Sequence, residues 1–266
     1  MREPLSFDCN GENLSATYDS GDRQIGLLIL SGGNEIKIGA HCGMAKLARD
    51  VSAIGYPVFR FDRRGIGDSE GENCGFTSSA PDLTCAIAAY RKHSPNLEKI
   101  VAFGNCDAAT ALIIHDVSGI DYFVLANPWV FQTASDEPAA AAIKAHYIER
   151  LRDPATWTRM LRGGVDLRKL ARGLLKIAKQ SPVQPLAESV SNMLVRWTKP
   201  TTILLASHDA TALAFLGEWK SPLFQTARKN VNIETVTIES ASHSFASDTD
   251  YAALRDLILA KLNSLK

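Results

Sequence analysis

The sequence predicts an α/β protein: a mostly parallel central sheet with helices on both faces. Three observations predict it. Short, continuously apolar runs such as Ile25-Gly-Leu-Leu-Ile-Leu30 recur along the chain, as strands buried on both faces of a parallel sheet require. Segments with helical spacing alternate with these runs. Several runs empty into short loops of small residues, where a strand can turn sharply into a helix.

Taken in order, residues 5–18 read as two short strands around Asn10-Gly11, a hairpin signal. Residues 25–30 form the next strand and end at Ser31-Gly32-Gly33-Asn34. Met44, Leu47, Ala48, Val51 and Ile54 share one helical face over 44–54, and Gly55 stops that helix. Residues 56–61 are a strand that runs into the glycine-rich Asp62-Arg-Arg-Gly65-Ile-Gly67-Asp68-Ser69. A helix over 81–93 begins with Pro81 in its first turn. A strand over 99–104, a tight turn at Asn105-Cys106-Asp107, a helix over 108–117 and a strand over 122–126 follow. From 133 to 199 no strand pattern occurs. The stretch is rich in Ala, Leu, Lys and Arg, is broken at Pro154, Gly163-Gly164 and Pro182 to Pro185, and reads as a helical cap inserted into a core made of 1–132 and 200–266. The sheet resumes at 201–206, with a helix over 210–218, a strand over 231–238 and a closing helix over 251–265.

Composition narrows the function. A chain of 266 residues fits one large α/β domain or two small ones and buries roughly three quarters of its unfolded surface. Hydrophobic residues at 45% and charged residues at 22% argue against long disorder. Lys and Arg total 29 against 29 Asp and Glu, so no basic excess exists to track a phosphate backbone, and nucleic-acid binding is not expected. No apolar run reaches the roughly 18 residues of a membrane span. Met1-Arg2-Glu3-Pro4 opens no signal-peptide core, which predicts a cytoplasmic protein. The five cysteines, Cys9, Cys42, Cys74, Cys85 and Cys106, are scattered and lack the C-x-x-C spacing of a zinc site. Reduced thiols, no metal and no cofactor are expected, and the sequence specifies no oligomeric state.

The chemistry-bearing residues lie where strands end. Gly104-Asn105-Cys106-Asp107-Ala108 joins a buried strand to an alanine-rich helix, and such a sharp turn needs small neighbours around a strained residue. Cys106 stands where the G-x-S-x-G pattern has its serine. A helix N-terminus favours the thiolate that acts as nucleophile, and the Asp107 backbone N–H is placed to meet an oxyanion. The Asp107 carboxylate works against a thiolate if it turns toward the sulfur. His243, in the loop past the strand 231–238, can reach back to the central strand as base. Asp209, just past the strand 201–206, can hold the imidazole tautomer. The chain order is nucleophile, acid, histidine. Gly33 or Asn34 offers the second oxyanion N–H. The competing readings are a small core hydrophobe for Cys106, a helix N-cap for Asp209 (compatible with catalysis), a solvated loop residue for His243, and a plain turn for 31–34. Gly65-Ile66-Gly67-Asp68 lacks the third glycine of a dinucleotide loop and the lysine of a P-loop, and reads as a structural turn. His41 and His208 lie near the site mouth; His93, His115 and His146 share no ligand spacing.

These motifs together resemble the α/β-hydrolase superfamily over nearly the whole chain, least so in the insertion. More narrowly, the G-x-C-D-A elbow and the loop from Phe61 to Gly71 are similar to the exosortase A system-associated hydrolases, found in bacterial gene clusters for exopolysaccharide production and protein sorting. The resemblance implies an α/β-hydrolase fold, nucleophile Cys106, base His243, acid Asp209, and oxyanion donors at Asp107 and near Gly33. Two departures stand out: cysteine replaces serine, and Ser31 occupies a position where many relatives carry histidine.

The expected chemistry is acyl transfer through a thioester on Cys106, from a small-molecule or carrier-bound acyl substrate. Thioesters and activated esters are favoured over amides, because the entering and leaving groups are chemically alike. Water as acceptor makes a hydrolase; an alcohol or amine makes an acyltransferase. A lactone or carbon–carbon bond hydrolase, or a non-catalytic binding member of the fold, are the other readings. A haloalkane-type mechanism needs a carboxylate where Cys106 sits. Trp157, Met160, Leu161, Leu167, Leu170, Leu174 and Leu175 either line an apolar acyl pocket or pack on the sheet.

Overall fold

The computed structural model describes residues 1–131 and 185–265. Within them, eight strands form one sheet in the order β1-β2-β4-β3-β5-β6-β7-β8. They are β1 Arg2–Cys9, β2 Glu12–Asp19, β3 Ile25–Leu30, β4 Val58–Phe61, β5 Lys99–Asn105, β6 Tyr122–Ala126, β7 Thr201–Ala206 and β8 Ile233–Ile238. β1 and β2 form the antiparallel hairpin, with Cys9 opposite Glu12 across Asn10-Gly11, and β2 runs antiparallel to β4. Every other pairing is parallel.

Successive side chains point to opposite faces and both faces are covered, so β3 to β7 are buried along nearly their whole length. Val101 and Phe103 of β5 enter the core on one face, while Ile100 and Ala102 enter the core on the other. The first face is covered by α1 (Gly43–Ser52) and the C-terminal α6 (Asp248–Ser264), through Met44, Leu47, Val51, Leu254 and Ile258. The second is covered by α2 (Ala80–His93), α3 (Asp107–His115), α4 (Pro185–Val195) and α5 (Ala210–Trp219). The edge strand β8 is only half-buried along its length, so its composition alternates instead of running apolar.

Several element bounds differ from the sequence reading, each for a local reason. The strand expected from 56 begins at Val58, because Pro57 has no N–H to donate to a ladder. The strand expected from 231 begins at Ile233; Val231 is 96% exposed. The closing helix starts at Asp248 instead of 251, since the Ser247 side chain accepts the Asp250 N–H as an N-cap. Residues 132–184, most of the expected helical insertion, lie outside the described residues, and with them the stripe from Trp157 to Leu175. The described end of the insertion, α4, buries Leu186, Val190 and Leu194 in the same core cluster as α3. Among the described residues no helix is long and apolar enough to cross a membrane.

The close approach of β5 to α3 sets the geometry of the turn between them. A Cβ built on Gly104 would sit 2.9 Å from the Ala108 carbonyl carbon and the Ala109 nitrogen, both backbone atoms that cannot swing aside. Gly104→Ala is therefore expected to lower the free energy of unfolding by about 1–3 kcal/mol, measured by urea denaturation. An unchanged midpoint would mean that the helix backs away freely.

Candidate active site

Cys106 separates β5 from α3 at φ 61° and ψ −126°, a conformation L-residues rarely adopt. Such strain costs about 1–3 kcal/mol and persists only where the surroundings enforce it. Here they do. The Cys106 N–H donates to the Ala126 carbonyl at 3.0 Å, and its carbonyl accepts from the Trp129 N–H at 3.2 Å and the Thr110 N–H at 3.3 Å. The side chain is half-buried, neither sealed in the core nor fully in water. As the first residue of α3, Asp107 carries an N–H with no intrahelical partner.

The histidine comes from the loop between β8 and α6. Ser240, Ser242 and Ser247 shape this loop. Ser242 N–H donates to Ser240 Oγ, Ala246 N–H to Ser242 Oγ, and Phe245 is buried at φ 53°. His243 Nδ1 lies 3.0 Å from Asp209 Oδ2. The same Oδ2 accepts the Ala212 N–H at 2.9 Å, so Asp209 caps α5 and holds the imidazole at once. Burial opposes a charge on His243, but the Asp209 carboxylate and then the neighbouring Cys106 outweigh it, and its pKa is pushed up to about 10. The structure thus brings Cys106, His243 and Asp209 together from three separate strand ends.

The glycine loop past β3 meets the elbow directly. A Cβ on Gly32 would lie 2.4 Å from the Asn105 carbonyl oxygen and 3.3 Å from Cys106 Cβ. Gly33 takes φ 58° and donates its N–H to Asp107 Oδ1 at 2.5 Å. The Asp107 side chain is therefore turned to this loop, and a carboxylate already occupies the N–H expected as a second oxyanion donor. Asn34 is exposed and accepts a side-chain hydrogen bond from Asn73 at 3.0 Å.

Arg63 is a participant that sequence reasoning passed over. Its buried guanidinium donates through Nη2 to the Gly33 carbonyl and lies 3.5 Å from Asp107 Oδ2, clasping loop and elbow. The signal was present in Asp62-Arg63-Arg64-Gly65, read there only as a turn. That turn is indeed internally bonded, with Gly65 N–H on the Glu70 carbonyl and Ser69 Oγ–H on that of Asp62. Asn105 and Asn127 were also missed; their amides converge on the His243 carbonyl. Among the described residues, the His41 and His208 side chains hydrogen-bond to none of these groups, whereas His93 and His115 bond backbone carbonyls of Ala89 and Phe76. No group of three or more His, Cys, Asp or Glu among the described residues is arranged to hold a metal ion. An open cleft lined by Asp22, Arg23, Tyr56, Glu98 and Lys99 lies at the opposite, N-terminal ends of β3 and β5.

The His243 shift carries a sign. A histidine whose folded pKa is raised contributes stability below its unfolded value, and that contribution is lost as pH rises through the folded value. Compared with His243→Gln, the wild type is expected to hold its largest stability advantage below about pH 6.5 and to lose it as pH passes about 10. Chemical denaturation of both proteins across that range checks it; an advantage that grows with pH would contradict the pairing.

No family model matches the chain, and no curated protein matches it in sequence. Solved structures do match in shape. The esterase Pf2001 of Pyrococcus furiosus superimposes with a TM-score of 0.68 at 15% identity, over 99% of this chain and 91% of that one. The Butyrivibrio proteoclasticus protein Est1E, solved with ferulic acid, gives 0.61 at 16% identity over 97% and 99%. A proline iminopeptidase of Mycobacterium smegmatis gives 0.61 at 13% identity over 99% and 100%. At such identities the likeness speaks for architecture, and with the strand order and the elbow it establishes that this chain has the α/β-hydrolase fold.

Proposed function

We propose that the protein is a cysteine-dependent acyl hydrolase, a thioesterase or esterase acting on small-molecule or carrier-bound acyl substrates in the cytoplasm. The observation that carries this reading is the 3.0 Å Asp209–His243 pair, with Cys106 acting on the same imidazole from a strained strand-to-helix turn. In the first half-reaction the Cys106 sulfur attacks the acyl carbon while its proton is held by His243, whose raised pKa keeps the imidazole protonated at neutral pH. The negative charge that develops on the carbonyl oxygen is met by the Asp107 N–H. Collapse breaks the bond to the leaving thiol or alcohol, which takes the proton back from His243. In the second half, His243 removes a proton from water, hydroxide adds to the thioester, and Cys106 leaves with the acid as product. Asp209 keeps Nδ1 protonated, so that the other ring nitrogen faces the sulfur, and stabilises the cation formed in each half.

The three solved structures named above include an esterase and a peptidase, which supports hydrolysis as the reaction class. The G-x-C-D-A elbow supports the narrower likeness to exosortase A system-associated hydrolases, and hence a link to bacterial exopolysaccharide and exosortase systems, without defining the substrate. We assign 1–132 and 200–266, together with α4, which packs in the same core cluster as α3, to the catalytic core, and the part of 133–199 before α4 to a cap over it.

Incubation with acyl thioesters is expected to leave an acyl adduct on Cys106, detected by peptide mass spectrometry and absent in Cys106→Ala. Full turnover by Cys106→Ala would end the proposal. Replacing the base in His243→Ala is expected to slow acylation by about 10²–10⁴-fold. Asp209→Asn, which favours the wrong tautomer, is expected to lower kcat by up to about 10⁴-fold. Stopped-flow release of a chromogenic thiol measures both, and rates within two-fold of wild type in either variant, a difference too small for about 1 kcal/mol of barrier, would remove that residue from the mechanism.

A further inference from the structure

The geometry points to Asn127 as a positioning residue that ties the nucleophile, acid and histidine loops together through one buried side-chain amide. This rests on the catalytic reading of Cys106, Asp209 and His243. Asn127 is the first residue past β6, is fully buried, and sits at φ 43°, which asparagine tolerates better than most residues. Its Oδ1 accepts the Ala206 N–H at 2.9 Å. A backbone N–H can only donate, so this contact fixes which end of the amide is oxygen. Nδ2 then points the other way and donates to Asn105 Oδ1 at 3.1 Å and to the His243 carbonyl at 3.4 Å. Asn105 in turn donates its own Nδ2 to the His243 carbonyl at 3.0 Å.

Each of these partners adjoins a reactive residue. Asn105 immediately precedes Cys106 in the chain. Ala206 ends β7, and its carbonyl accepts the Asp209 N–H at 3.1 Å. The third partner is the main chain of His243 itself. The Asn127 N–H also donates to Leu204 at 2.8 Å, anchoring the hub to β7 by backbone as well as side chain. The loops are otherwise far apart in sequence, and the hub sets the distance between them. An apolar residue at 127 leaves the Ala206 N–H and one acceptor lobe of His243 without partners in a dry environment. The side chains that face the imidazole, Asp209 and Cys106, stay in place, but the loop that carries His243 is free to shift. A misplacement of about 1 Å in such a constellation costs about 100-fold in rate.

The test compares Asn127→Gly, which accepts the positive φ and removes the amide, with Asn105→Ala, which removes one donor to His243 and leaves the Ala206 contact intact. Two readouts are taken. The first is the NMR titration of the His243 ring without substrate; the second is kcat and KM on an acyl thioester. Asn127→Gly is expected to move the His243 midpoint down from about 10 toward the ordinary 6.5 and to lower kcat by about 100-fold with KM little changed. Asn105→Ala is expected to shift both in the same direction by less. Folded variants that keep the wild-type titration and kcat, whatever their melting temperature, overturn the proposal. If Asn127→Gly does not fold, an unchanged titration and kcat in Asn105→Ala overturn it alone. A wild type that never acylates Cys106 sinks the catalytic reading, and the substrate-free titration still decides what Asn127 does.

Discussion

Cys106 is held at φ 61° between a buried strand and a buried helix, and the site exists because that backbone conformation is enforced. Relaxed to an ordinary dihedral, the residue would continue β5 or begin α3 smoothly and carry its sulfur into one of the two cores. The enforcement is distributed. Gly104 lets α3 press against β5 with no Cβ between them. The Ala126 carbonyl takes the Cys106 N–H, while Thr110 and Trp129 take its carbonyl. Gly32 closes the third side against the Asn105 carbonyl. Because two apolar layers press on the sheet from both faces, none of these partners is free to move away, and the strain is borne by the packing of the whole domain.

Charge is arranged around this point with a similar economy. His243 is drawn toward its cationic form by Asp209 and Cys106 against the effect of burial. The adjacent carboxylate, Asp107, is engaged elsewhere: Gly33 donates to one oxygen and Arg63 faces the other. The same clasp closes the Gly33 N–H with an anion of the chain's own. Exposed backbone N–H groups attract negative charge, and here the anion beside the Gly33 N–H is Asp107, the residue after Cys106.

Much of this was legible beforehand, and the reasons are specific. β3, β5, β6 and β7 are largely apolar because both faces are covered, with Lys99, Asn105, Thr201 and Thr202 at or near strand ends, so their runs stand out against the loops. The turn at 104–108 declared itself by small residues on either side of a cysteine, and Asp209 and His243 by following strands directly. What escaped notice were residues whose work depends on partners distant in the chain. Arg63 stands in the glycine-rich loop and Asn105 in the turn before Cys106, and Asn127 has no reading at all; none has a spacing that marks it. Ser247 was the exception, a capping signal three residues ahead of Asp250 that local reading could have caught.

The linear chain by itself determined which segments are strands and helices, their alternation, and which residue types stand at the strand ends, because periodicity and glycine placement are local and survive without knowledge of neighbours. It also settled the identity of a thiol, a carboxylate and an imidazole in the order in which they occur. Only the tertiary structure decided that Asp209 Oδ2 lies 3.0 Å from His243, that Asp107 faces Gly33 and Arg63, and that one asparagine amide joins three loops. Those are hydrogen bonds across 22 to 116 positions of sequence. Hydrogen bonds of this span are directional and short, so they are set by how β5, β6, β7 and β8 stack side by side, which no local pattern encodes.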